Sequence, residues 1–156
     1  VKFVVAPHEM DESRIARLMA ETKGGALRYT QCTPRTTYGS RQLLILDTVG
    51  ILASVYGYAT WSYIGGGFGV GIHNTLEAAV YGIPVIFGPK YQKFQEAVQL
   101  LEAKGGFSVK SYEELKALLD RMLEDESFLR ETGTNAGTYV TGNAGATDKV
   151  LGMINF

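Results

Sequence analysis

The sequence predicts an α/β protein: a doubly wound parallel sheet of about six strands with helices on both faces. Three observations predict it. Short apolar runs alternate with segments of helical periodicity along the chain. The run LLIL at 43–46 is apolar throughout, as strands covered on both faces are. Glycine and polar residues gather directly after the strands, which is the edge where ligands bind such sheets.

The elements follow in order. Residues 2–6 read as a strand bounded by Pro7. Residues 11–22 read as a helix, with Ile15, Leu18 and Met19 on one face and Gly24-Gly25 as its stop. Residues 27–30 form a weaker strand, and 31–42, polar and carrying Pro34 and Gly39, a loop. The strand at 43–46 ends at Asp47, and 49–56 suits a short helix. A strand at 60–64 opens into five glycines, followed by a helix at 74–81 and a strand at 84–87. A helix at 94–103, stopped by Gly105-Gly106, leads to a last strand at 107–109. Helices are expected at 112–123 and 127–139, and a terminal one at 147–154. Strands alternating with helices imply right-handed crossovers and a parallel sheet.

The 156 residues suffice for one domain with a real core. The composition, 46% hydrophobic and 20% charged, is that of a globular protein. A net charge of -1 disfavours nucleic acid as a bulk partner while allowing a local anion site. The single cysteine, Cys32, forms no internal disulfide and fits a reducing compartment. No apolar run approaches the roughly 20 residues of a membrane span, and no signal peptide is visible. Val1 already lies in an apolar run, VKFVVAP, so the expectation is a single domain, residues 1–156, cut where a strand begins.

The chemistry concentrates in IGGGFGVGIHNTLEAAVYGIPVIFGP, residues 64–89. Glycines let the backbone turn through positive φ and let a ligand approach the main chain. A helix start presents unpaired N–H groups and a positive dipole end, a seat for phosphate. Asn74 and Glu77, three residues apart, share a helical face, while Leu76, Ala79, Val80 and Ile83 lie on another that suits packing on the sheet. A carboxylate beside a phosphate seat accepts hydrogen bonds from a ribose diol, so together they describe a nucleotide site. Plainer readings stand beside this one. Glycine-rich turns also merely start helices. Glu77 also reads as a favourable first-turn charge, worth about 0.3–1 kcal/mol. Asn74 also reads as an N-cap, and His73 as a hydrogen-bonding loop residue.

Elsewhere, His8-Glu9 reads either as a general base pair or as a loop-orienting pair. Asp47-Thr48 reads either as a helix cap or as a ligand contact. Cys32 reads as inert, and Tyr56, Tyr58, Trp61 and Tyr63 as packing residues. The first strand is followed by APHEMDES, which lacks the G-x-G-x-x-G of a dinucleotide site. A Walker A loop, zinc-type Cys/His spacing and a G-x-S-x-G elbow are absent from the sequence.

DTVGIL, YIGGGFGVGIHNTLEAAVYGIPVIFGP and KFQEAVQLLEAKGGF, in this order, resemble the carboxyl-terminal half of 3-deoxy-D-manno-octulosonic acid (Kdo) transferases. These are GT-B glycosyltransferases of lipopolysaccharide inner-core synthesis. The resemblance runs from about Val4 to the terminal GATDKVL, nearly the whole chain, and rests on D-T-x-G, G-x-H-N-x-L-E-A and G-x-P-V-x-x-G-P; the last is common to many GT-B enzymes. It implies two Rossmann-like domains facing across a cleft, with this chain as the nucleotide-sugar-binding one. The acceptor domain, which receives the lipid A precursor and carries the glutamate base, is then missing.

The implied donor is CMP-Kdo, bound without a metal or other cofactor, and no catalytic residue is expected in this fragment. Asn74 and Glu77 are implied to hold phosphate and ribose. Val49, Gly50, Ile51 and Leu52 would face the cytidine with backbone groups. Pro7 starts a loop lining the donor pocket, and Gly71 and His73 match the G-x-H-N segment. The full enzyme would work at the cytoplasmic face of the bacterial inner membrane. The sequence departs from the family at Pro7-His8-Glu9, where many members have P-R-H; His8 or Lys90 would then have to neutralise the donor. Ile51 stands where many have glutamate, and Lys93-Phe94 where many have Asn-Phe. Two alternatives remain open: the donor domain of a GT-B enzyme using a UDP-sugar, and a non-catalytic nucleotide-binding module.

Overall fold

The computed structural model describes residues 1–145 and 151–152. Among them are six strands and six α-helices, and every strand pairing is parallel. The α/β class is as expected. The strands, three residues each, are grouped three and three, in orders β1-β3-β2 and β4-β5-β6. Two compact units, Val1–Val55 and Tyr56–Phe156, carry one sheet each.

The first unit contains β1 (Phe3–Val5), α1 (Glu12–Glu21), β2 (Ala26–Arg28), β3 (Leu43–Ile45) and α2 (Leu52–Val55). Val5 and Arg28 both lie opposite Ile45, so the loops after all three strands leave the sheet at one edge. Helix α1 starts at Asp11, whose carboxylate accepts the Ser13 N–H at 2.7 Å and stands in for a missing helical partner. Its apolar face is the expected one: Ile15 is buried against Ala26 and Ile45, with Leu18 and Met19 beside it. Helix α2 begins three residues later than expected, because Gly50 turns the chain at φ +88°, outside the helical region.

Asp47 holds the carboxyl end of this sheet together. Its side chain is 1% exposed and takes Arg28 Nε at 2.8 Å, the Thr30 N–H at 2.9 Å and the Thr30 hydroxyl at 2.6 Å. Arg28 also grips Glu12 with both terminal nitrogens. Thr30 is thereby pulled out of the sheet, and the strand expected to reach it ends at Arg28 and turns into a 3-10 helix, Tyr29–Gln31. Burial pushes the Asp47 carboxyl up. The hydrogen bonds from Thr30 and Arg28 outweigh it and hold the group at about 2, below the ordinary 3.8.

The second unit contains β4 (Ser62–Ile64), α3 (Leu76–Ala79), β5 (Val85–Phe87), α4 (Gln95–Glu102), β6 (Gly106–Ser108), α5 (Tyr112–Glu124) and α6 (Glu126–Asn143). Central β5 is fully buried, and its alternation serves two cores. Val85 and Phe87 pack with Ala78, Ala79, Leu100 and Ala136 from α3, α4 and α6. Ile86, on the opposite face, packs with Val109 and Met122, and Leu118 of α5 lies against them. Each of the larger side chains, from valine to phenylalanine, contributes about 1.5–3 kcal/mol.

Three sequence expectations change here. The helix expected at 74–81 is one turn, Leu76–Ala79. Its buried face is Ala78 and Ala79, while Leu76 is 37% and Val80 54% exposed, because a single turn offers the sheet only one pair of positions. Tyr58, read as a packing residue, is 93% exposed, whereas Tyr56 and Trp61 do pack against the cores. The terminal helix expected at 147–154 falls mostly outside the described residues.

The Asp47 network sets an acid response. Its stabilisation, on the order of 2 kcal/mol, is complete above its ordinary value and is lost as pH falls from 3.8 toward about 2. Asp47→Asn is expected to lower stability at neutral pH by about that amount and to flatten this acid limb. Urea unfolding of both proteins at neutral pH and near pH 3 checks it; equal acid sensitivity would contradict it.

Candidate functional site

The second unit's glycine loop leaves β4 at Ile64 and folds on itself. The Gly66 carbonyl accepts the Gly69 N–H at 2.8 Å and the Gly71 N–H at 3.3 Å, and the His73 N–H reaches Gly65 O at 3.3 Å. Parallel register puts Ile64, Phe87 and Ser108 side by side, so this loop and those after β5 and β6 leave at one edge. The first two touch backbone to backbone. A Cβ on Gly67 would sit 2.6 Å from Gly88 N and Cα. Here glycine is required by a neighbouring main chain, a reason absent from the sequence reading, which weighed a ligand against a mere helix start.

Lys90, two residues past Gly88, closes the arrangement. Its N–H donates to Gly67 O at 3.0 Å and its ammonium to Gly69 O at 2.8 Å. The sequence reading named Lys90 only as a possible replacement for an arginine; the structure makes it a strut of the loop.

Asn74 and Glu77 come together as the spacing predicts. Asn74 Nδ2 donates to Glu77 Oε1 at 3.0 Å, and Asn74 Oδ1 accepts the Leu76 N–H at 2.9 Å. Asn74 therefore supports the start of α3 from one residue ahead of the cap position, Thr75. Both side chains are exposed, and Glu77 Oε2 makes no hydrogen bond among the described residues. With α3 a single turn, the dipole expected at its tip is small, and side chains carry the polarity of this edge. His73 is exposed and its ring flanks the Gly65–Gly66 backbone; Gly71 is buried against Phe94. Tyr56 enters the site unannounced: burial, then the charge of Glu77, push its hydroxyl pKa up. Thr75 is fully buried, and its hydroxyl has no partner among the described residues.

In the first unit, Pro7 and His8 follow β1, and Val49, Gly50, Ile51 and Leu52 follow β3, at that sheet's own carboxyl edge. His8, Val49 and Gly50 are exposed; Pro7, Ile51 and Leu52 are half-buried. Glu9 pairs with Arg14 at 2.8 Å, which favours the loop-orienting reading of His8-Glu9. Asp47 is a structural residue that ties β3 to the end of β2, not a cap on α2.

Parallel strands ending in glycine and polar loops are the layout of Rossmann-like nucleotide-binding folds. The crystal structure of the C-terminal CMP-Kdo binding domain of WaaA from Acinetobacter baumannii matches the fold with a TM-score of 0.76 over 88% of this chain and 72% of that one, at 18% identity. The fold is that of a Rossmann-like GT-B half. The 3-deoxy-D-manno-octulosonic acid transferase of Aquifex aeolicus is 30% identical over 125 residues, 79% of this chain and 34% of that protein. The enzyme of the same name from Rickettsia bellii is 33% identical over 115 residues, 72% of this chain and 28% of that protein. Over most of its length this chain is similar to Kdo transferases. It spans about a third of the length of the curated relatives it matches. No protein-family profile matches it.

Two substitution tests follow from the packing. Gly67→Ala forces the β4 and β5 loops apart and is expected to cost about 1–3 kcal/mol. Gly69→Ala, whose Cβ would meet only Gly66 O at 3.4 Å, is expected to stay within about 0.5 kcal/mol. Urea unfolding distinguishes them, and equal losses would contradict the backbone contact. Thr75→Val removes a hydroxyl that forms no bond, so stability is expected to hold or rise by about 1 kcal/mol; a clear loss would show that the hydroxyl has a partner.

Proposed function

We propose that this chain binds the nucleotide sugar CMP-Kdo as the donor half of a Kdo transferase. The observation that carries this reading is the Asn74–Glu77 pair, exposed at the carboxyl edge of the second sheet directly after the glycine loop. Glu77 offers Oε2 to a ribose hydroxyl, while Asn74, tethered at both ends of its amide, holds the carboxylate in place. Similarity to Kdo transferases and a fold shared with a CMP-Kdo binding domain support the choice of donor. In the first unit, Pro7, His8 and residues 49–52 are proposed donor contacts by resemblance, each tested by its own substitution.

In the reaction of the whole protein, the bond from the anomeric carbon of Kdo to the CMP phosphate oxygen breaks. A bond to a hydroxyl of the lipid A precursor forms, with inversion expected. CMP leaves with the bonding electrons, and the hydroxyl proton goes to a glutamate base in the partner domain that the resemblance implies. This chain alone then binds donor nucleotide without turning it over. We propose that binding needs no metal ion and that the full enzyme works at the cytoplasmic face of the inner membrane; no helix among the described residues is long and apolar enough to cross a membrane.

Calorimetry with CMP and UDP in EDTA tests the reading. CMP is expected to bind and UDP to bind at least tenfold more weakly. Glu77→Ala is expected to weaken CMP by about tenfold, the loss of roughly one charge-assisted hydrogen bond, with an unchanged urea midpoint. UDP binding without CMP binding would favour a UDP-sugar donor instead, and an unaltered titration of folded Glu77→Ala would remove Glu77 from the site.

A further inference from the structure

We infer that Lys90 is the positioning residue of an anion cradle formed by the glycine loop, and that it supplies the positive charge there. The inference rests on the nucleotide reading above and names the group that meets the donor's phosphate.

The hydrogen-bond directions in the loop are unequal. Three of its carbonyls are taken: Gly66 O by two amides of the loop, Gly67 O by the Lys90 N–H at 3.0 Å, and Gly69 O by the Lys90 ammonium at 2.8 Å. The N–H groups of Phe68 and Val70, both exposed residues, donate to nothing among the described residues. Two uncommitted N–H groups beside three bound carbonyls leave positive ends at this turn, which favour anions. Lys90 adds a full positive charge within hydrogen-bonding reach of the same turn. A lysine ammonium has three donors, so the bond to Gly69 O leaves two for a phosphate oxygen. The register makes this specific to Lys90: the backbone contact of Gly67 with Gly88 brings position 90 over the loop.

The backbone bond to Gly67 O survives any side-chain change, so substitution at Lys90 removes only the ammonium and its bond to Gly69 O. Titrations with CMP and with cytidine, which lacks the phosphate, separate the cradle from general structure. Lys90→Met is expected to weaken CMP at least tenfold and cytidine less than twofold, while Lys90→Arg stays within about threefold of the parent for both. Circular dichroism and urea midpoints verify folding, and Lys90→Gln serves in place of a poorly folding Lys90→Met. CMP affinity unchanged in the Met and Gln variants, or CMP and cytidine weakened equally, overturns the role of Lys90 and leaves the nucleotide reading standing. Failure of the parent protein to bind CMP overturns both.

Discussion

The backbones of Gly67 and Gly88 meet with no side chain between them, and the geometry of the second unit's edge follows from that contact. It fixes the loop after β4 against the loop after β5. It brings Lys90 to two carbonyls of the glycine loop. It also sets where the chain emerges toward Asn74, whose side chain then orients Glu77 and the first N–H of α3. Beneath it, Val85, Ile86 and Phe87 are buried on both faces, so the loops stand on the most constrained strand of the unit.

The first unit fixes its edge by charge instead. Asp47, itself nearly fully buried, gathers Arg28 and the exposed Thr30, and Glu12 joins from α1. Its energetic weight comes from desolvation overcome by hydrogen bonds, which makes it sensitive to losing either partner. The two units thus use different means, close backbone packing in one and a buried carboxylate in the other, to hold the loops that follow parallel strands.

Much of this was legible in the sequence. Apolar runs gave all six strands within about two residues, since buried parallel strands show as uninterrupted apolar stretches. The three-residue spacing was enough to pair Asn74 with Glu77, although Asn74 stands ahead of α3 and not within it. What was not legible depends on partners distant in sequence. Thr30 reads as strand, and only the carboxylate of Asp47, 17 residues on, diverts it. Leu76 and Val80 read as core because the periodicity of 74–81 suits a longer helix, yet the turn ends at Val80 and Gly82 leaves the helical region at φ +69°. The glycines invited a ligand as their reason, while at Gly67 the reason is another main chain. Lys90 was visible only as a cation after Gly88-Pro89; its contact with Gly69, 21 residues away, is a property of the fold.

The central claim is that the second unit's carboxyl edge, from the glycine loop to Glu77, receives the nucleotide. Amide chemical shifts of the isotopically labelled chain during a CMP titration test it most directly. The account predicts that Phe68, Val70, Asn74 and Glu77 move together and saturate at one concentration. Shifts confined to α5 and α6, with these four unmoved at saturation, would contradict it.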